Sequence, residues 1–267
     1  MSILHCCLIV VLAPLVGAVI AGLFRHQVGR VGAHTVTILG VSVSFMLSLY
    51  VAYLILSGQS PILDTNLYSW ADGGDLFPYA FNLGFLIDPL TVVMMVTVTF
   101  VSLLVHIYSI GYMADDAGYQ RFFSYISLFT FMMLMLVTGN NFLQLFFGWE
   151  GVGLVSYLLI GFWYHKESAN LGSMKAFLVN RVGDFGFILG IALVLVYTGS
   201  LHYGTVFKSV SSFANQSIVL FNGHSWSVVT VISLLLFVGA MGKSAQVPLH
   251  VWLPESMEGP TPISALI

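Results

Sequence analysis

The 267-residue chain is 58% hydrophobic and only 7% charged, with a mean hydropathy of +0.95, a surface that no water-soluble domain of this length tolerates. Its net charge of −3 and the lack of any basic cluster argue against a nucleic-acid partner. The only cysteines, Cys6 and Cys7, are adjacent, which rules out a disulfide framework and a cysteine-ligated zinc or iron–sulfur site built within the chain; they read as small apolar residues.

Apolar segments recur at the length needed to cross a hydrocarbon core of roughly 30 Å, without the short alternation of a membrane barrel. The expected fold class is therefore all-α, a polytopic membrane protein with about seven transmembrane helices and the start of an eighth. The first span is expected over residues 3–24. No Lys or Arg precedes its apolar run, so it lacks the basic start of a cleavable signal peptide and is expected to stay. The second covers 31–56. Ser57-Gly58-Gln59-Ser60-Pro61 and Ala71-Asp72-Gly73-Gly74-Asp75 carry turn residues and no hydrophobic period, so residues 57–80 read as an external loop. Further spans follow at 81–113, 122–138, 142–164, 171–198 and 227–253. An eighth begins at Pro262, and because Ile267 comes a few residues into it, the chain reads as a fragment.

Arg25, Arg30, Arg121 and Lys166 fall in the first, third and fifth loops, whereas the even loops offer only Lys208. The odd loops are therefore expected to be cytoplasmic and the amino terminus outside. Asp64, Asp72 and Asp75 carry no weight in that rule. Asn215-Gln216-Ser217 matches a glycosylation sequon that matters only in a eukaryotic secretory membrane; a chance match is the simpler reading.

Glu150, Lys175, Arg181, Asp184 and Lys243 lie within predicted spans. Left charged and unpaired they would cost on the order of 12–17 kcal/mol on insertion scales, as much as a whole domain's stability, so they must face one another or water. In the fifth span Glu150, Gly153, Tyr157 and Gly161 share a polar or small face that can meet another helix closely. In the seventh, Gly239, Lys243, Gln246 and His250 repeat that spacing, reading as a hydrated track. Pro248 has no N–H for the carbonyl of Ser244, so the helix is expected to kink or unwind beside Lys243, and a carbonyl freed there must be met by water or a side chain.

Each of these residues also has a plainer reading. Arg181 and Asp184, one turn apart with Asn180, form either a structural ion pair or part of a transport path. Lys175 lies near the cytoplasmic end and can partly snorkel. His106 reads as a hydrogen-bonded core residue before a ligand, and His250 stands evenly between the two. Glu150 and Lys243 read as functional, since each is near the middle of its span beside small or helix-breaking residues. A carboxylate moving towards or away from Lys243 would change its hold on a proton.

Asp88-Pro89-Leu90-Thr91, Phe146-Phe147-Gly148-Trp149-Glu150-Gly151-Val152-Gly153-Leu154, Asn180-Arg181-Val182-Gly183-Asp184, Lys243 through Pro254 and Met257 through Pro262 resemble the antiporter-like membrane subunits of respiratory complex I over almost the whole chain. The resemblance implies a proton-translocating subunit of NADH:quinone oxidoreductase, in a bacterial inner membrane or a mitochondrial one. It implies no cofactor bound by this chain, with NADH, FMN, iron–sulfur clusters and quinone in other subunits. It implies partners among the other membrane subunits, especially a neighbouring antiporter-like one, within the lipid bilayer. Glu150 and Lys243 match the family's coupling pair, Arg181 and Asp184 its modulating pair and Lys175, less specifically, its basic residue near the start of the sixth helix; His250 is kept as secondary. The fold implied is a set of peripheral helices over residues 1–120, then an incomplete first antiporter-like repeat over 121–267, with the second inverted repeat absent. Glu255 departs conservatively from the family's aspartate.

Two other functions compete. A subunit of a multisubunit sodium/proton antiporter shares these motifs and differs in ion dependence and partners. An architectural or quinone-lipid docking subunit gains nothing from costly buried charges, and His106 and His250 form no clear haem-ligand pair.

Overall fold

The computed structural model describes residues 2–72, 80–219 and 223–267. The predicted loop residues Gly73, Gly74 and Asp75 lie outside them. The helices are α1 (Ile3–Leu23), α2 (Arg25–Leu56), α3 (Pro89–Tyr112), α4 (Tyr119–Thr138), α5 (Phe142–Ile160), α6 (Glu167–Thr198), α7 (Tyr203–Phe213), α8 (Val228–Lys243) and the short α9 (Thr261–Ser264). Among the described residues, α1 to α6 are six helices long and apolar enough to cross a membrane, and α8 is a shorter apolar helix of 16 residues. The polytopic helical class expected from composition is the one observed.

Local sequence explains where these helices start. Asp88 accepts from Thr91 N at 2.7 Å with Pro89 in the first turn of α3, and Asn141 accepts from Gln144 N at 2.8 Å to start α5; each satisfies an orphan amide. α2 is broken at Gly29, whose φ of 66° suits a residue without a Cβ. Inside α1, Pro14 cannot bond the carbonyl of Val10. The hydroxyl of Ser44 on α2 donates to that carbonyl at 2.8 Å instead, returning a partner to a group that lipid would leave bare. Ser124 and Ser127 on α4 donate to Ala18 O and Pro14 O, both at 2.7 Å, tying α4 to α1 as polar side chains do between membrane helices.

The sequence reading of 57–80 as loop and of 81–113 as one span is corrected here. Leu63–Asp72 (β1) and Ala80–Ile87 (β2) pair antiparallel, Leu63 opposite Ile87. From Phe81 to the helix the run is apolar but for Asn82, and only Asp88-Pro89 marks the change from strand to helix, so hydrophobicity alone merged the two. Phe85 and Ile87 are buried. Asn140, also buried, holds the hairpin to the top of the bundle: its Nδ2 donates to Asp64 Oδ1 at 3.1 Å and Asn66 Oδ1 at 3.0 Å, while His202 Nε2 lies 3.1 Å from Asp64. The predicted sixth loop likewise contains α7 and a small hairpin, β3 (Ser217–Val219) with β4 (Ser225–Ser227).

The predicted seventh span, 227–253, is also corrected: the α-helix ends at Lys243, and 3-10 turns follow at Leu249–Trp252 and Pro254–Glu258. Gln246 N donates to Met241 O at 2.9 Å and Ala245 N to Gly242 O at 3.3 Å, with Ala245 at φ 50°, a Schellman ending with alanine where glycine is usual. The track Gly239, Lys243, Gln246 and His250 therefore does not run on as one helical stripe; Gln246 and His250 are exposed beyond the break. Near the break, the buried carbonyl of Gly242 accepts from Trp252 Nε1 at 2.9 Å.

Candidate intramembrane charge site

Three helices converge on the site. α6 and α8 touch backbone to backbone: a Cβ on Gly183 would stand 3.1 Å from Gly242 Cα and 3.2 Å from Val238 O. Small residues allow that approach in lipid, and it brings Lys243, at the last turn of α8, beside Asp184 and Arg181 of α6. α5 completes the group with Trp149, Glu150 and Gly153.

Arg181 is the bridge. Its Nη1 forms an ion pair with Glu150 Oε2 from α5, and its Nε lies 3.8 Å from Asp184 Oδ2. The planar guanidinium can face two carboxylates at once, which a lysine ammonium does less well. Phe177 lies beneath it, the guanidinium carbon 4.6 Å from the ring centroid. Asp184 is the most buried member, with 4% of its side chain exposed. Its Oδ1 accepts from Trp149 Nε1 at 2.6 Å, and its Oδ2 has no hydrogen-bond partner among the described residues.

Lys243 Nζ is buried and has no hydrogen-bond partner among the described residues. It sits 5.9 Å from the centroid of the Trp149 ring. A methyl group on Gly153 would collide with this ammonium and lie 3.7 Å from Arg181 Nη2, so the small face of α5 is the floor on which both cations rest. Lys243 and Asn180 also line a cavity of about 390 Å³ between α3, α4, α5 and α6, a volume with room for several waters.

The structure thus brings together Glu150, Arg181, Asp184 and Lys243. It leaves the other two predicted residues apart. Lys175 pairs with Glu255 at 2.6 Å, both side chains more than a third exposed, at 44% and 35%; such a pair contributes little to stability. His250 is exposed on the first 3-10 turn. Sequence reasoning missed Trp149 as a member of the site. The available signal was an indole one residue from Glu150 at membrane depth, where its N–H needs an acceptor.

Comparison with known proteins shows which families and folds the chain is similar to. Residues 139–267 match the family model described as NADH:quinone oxidoreductase/Mrp antiporter, TM, and residues 70–123 match NADH-Ubiquinone oxidoreductase (complex I), chain 5 N-terminus. The chain is 64% identical over 97% of its length to NADH-quinone oxidoreductase subunit L of Neisseria meningitidis and spans 38% of that relative. It is 48% identical to NADH-ubiquinone oxidoreductase chain 5 of Chondrus crispus, over 97% of this chain and 38% of the relative. In fold it resembles the solved Mrp complex from Dietzia sp. DQ12-45-1b, with a TM-score of 0.78 and 25% identity over 97% of this chain and 26% of that one. The chain therefore spans well under half the length of the curated relatives it matches.

Proposed function

We propose, since the chain belongs to the antiporter-like family of NADH:quinone oxidoreductase membrane subunits, that it forms part of a proton-translocating subunit of such a complex. The observation that carries this reading is a buried lysine ammonium without a hydrogen-bond partner among the described residues, beside one arginine shared between two carboxylates. A bundle built only for architecture would not retain that group.

The geometry supports a switch. With Glu150 ionised, Arg181 is held towards α5 and Asp184 keeps its field on Lys243. A proton arriving on Glu150 breaks that ion pair, and Arg181 turns fully to Asp184. The charge of Asp184 is then withdrawn from Lys243, which gives its proton to water in the adjoining cavity. Trp149 holds Asp184 in place during the exchange. Lys175 and His250 stand outside this group and serve at most the approach to it.

The same reading places NADH, FMN, iron–sulfur clusters and quinone in other subunits and assigns none of them to this chain. A neighbouring antiporter-like subunit is the expected partner, with residues 1–120 as peripheral helices and 121–267 as most of one repeat. The membrane is the bacterial inner membrane, with the amino terminus and the β1–β2 hairpin outside, as the placement of Arg25, Arg30, Arg121 and Lys166 argues.

The test uses the full-length protein in inverted membrane vesicles, following NADH-driven acidification and NADH oxidation in parallel for wild type, Glu150→Gln and Lys243→Ala. Loss of acidification beyond any fall in oxidation is expected. The likeness to the Mrp complex favours a second reading, sodium/proton exchange; sodium-driven exchange lost in both variants, with redox-driven acidification intact, would establish it instead.

A further inference from the structure

His106 lies in the last third of α3, fully buried, and the charge site makes no use of it. Its Nδ1 is 2.8 Å from the carbonyl oxygen of Ser102. A carbonyl only accepts, so Nδ1 carries the hydrogen and Nε2 keeps its lone pair. That Nε2 has no hydrogen-bond partner among the described residues. A buried imidazole with one nitrogen bare needs a reason, because an apolar residue would fill the space without desolvating a polar atom.

The surroundings of His106 supply that reason. Nδ1 is also 3.3 Å from Ser102 Oγ, which lies 2.5 Å from Thr130 Oγ1 on α4. Thr130 Oγ1 donates to Ile126 O at 2.9 Å, leaving its lone pairs to the hydroxyl of Ser102. Donors therefore run in one direction, from His106 to Ser102 to Thr130. Ser102 and Thr130 both line the cavity of about 390 Å³ into which Lys243 opens. On the opposite side, Phe123 of α4 stands between His106 and His34 of α2, its ring centroid 6.1 Å from each imidazole. His34 Nδ1 is 2.9 Å from Tyr119 OH, and Tyr119 lies under the guanidinium of Arg30 at the predicted cytoplasmic end.

We propose that His106, with Ser102 and Thr130, is a proton-carrying branch that joins the peripheral helices to the Lys243 cavity, gated by Phe123 and reached from His34 and Tyr119. This rests on the proton-path reading of Lys243. In the step, an incoming proton forms an N–H bond at Nε2 of neutral His106. The Nδ1–H bond then breaks as Ser102 Oγ gains that proton. The original hydrogen of Ser102 passes to Thr130 Oγ1, whose own hydrogen leaves the Ile126 carbonyl for a cavity water and passes on to the free amine of Lys243. One proton enters and one leaves, and no other bond changes. The titratable groups around the branch are His34, Tyr119 and Arg30 on one side and Lys243 on the other.

The experiment measures acidification per NADH oxidised in inverted vesicles with the full-length subunit assembled in its complex. His106→Asn keeps an N–H for the Ser102 carbonyl but cannot carry a proton; Thr130→Val keeps shape and loses the hydroxyl; Thr130→Ser keeps the hydroxyl and loses a methyl. A fall of about threefold or more is expected for the first two at unchanged oxidation, with wild-type behaviour for Thr130→Ser, as follows from a relay that requires the exchangeable groups rather than their volume. A wild-type ratio in His106→Asn, or a fall in Thr130→Ser equal to that in Thr130→Val, overturns the branch. Lys243→Ala in the same series separates the two claims: its loss with His106→Asn unchanged sinks the branch alone, whereas an intact ratio in Lys243→Ala sinks the function on which it rests.

Discussion

Trp149 donates its indole N–H to Asp184 Oδ1 at 2.6 Å while its ring stacks on Phe187 at a centroid distance of 4.8 Å. One aromatic side chain thus fixes a buried carboxylate in α6 from its place in α5. Trp149→Phe keeps the stacking surface and removes the donor. A hydrogen bond to a charged group contributes roughly 1.5–3 kcal/mol, so acidification per NADH is expected to fall roughly tenfold with assembly intact. An unchanged ratio would show that the bond is structural only.

The contrast between Arg181 and Lys243 shows what the sequence could reveal. Long apolar runs gave the spans, and Pro248 gave the break beside Lys243, because both are local consequences of backbone hydrogen bonding. Arg181 and Asp184 also read as neighbours from their spacing. The closer of the two ion pairs that Arg181 makes is with Glu150 on another helix, and no local period encodes that. The β1–β2 hairpin was hidden because strand β2 is as apolar as the helix it precedes, and the extension of α6 back to Glu167 was hidden by the polar residues of its first turns. Ala245 at φ 50° was invisible because alanine gives no sign of a left-handed position.

Gly183 and Gly242 bring α6 and α8 together backbone to backbone. Gly183→Val must push the helices apart, since the neighbour is backbone and cannot rotate away. Overpacking of this kind costs about 1–3 kcal/mol. The thermal midpoint of the solubilised complex is expected to fall by several degrees, and acidification should be lost together with it, because Lys243 leaves Asp184. Gly111, which meets nothing within 4 Å, supplies the control: Gly111→Ala should leave both readings unchanged.

Asn140 is the clasp of the β1–β2 hairpin, 1% exposed and bonded to Asp64, Asn66 and, through its Oδ1, the Nδ2 of Asn141. Asn140→Ala leaves the carboxylate of Asp64 with His202 alone and takes a donor from Asn66. The hairpin should loosen by about 1–3 kcal/mol. Limited proteolysis of the solubilised complex is expected to cut within residues 57–88 several times faster than in wild type, with acidification in vesicles reduced far less than in Lys243→Ala. Equal cutting rates would mean that β-pairing alone holds the hairpin.

Ala245 closes α8 in the left-handed region, where a Cβ costs roughly 1–2 kcal/mol. Replacement by glycine removes that cost but adds about 0.5–1 kcal/mol of chain entropy to the unfolded state. The first effect wins, so Ala245→Gly is expected to raise the thermal midpoint slightly while acidification per NADH stays at the wild-type value. Ala245→Val separates this account from simple tolerance at the site. A β-branched residue is worse still at positive φ, and it should lower the midpoint and, by unseating the turn that ends at Lys243, weaken proton transfer as well. If valine and glycine behaved alike, the left-handed ending of α8 would not be what positions the lysine.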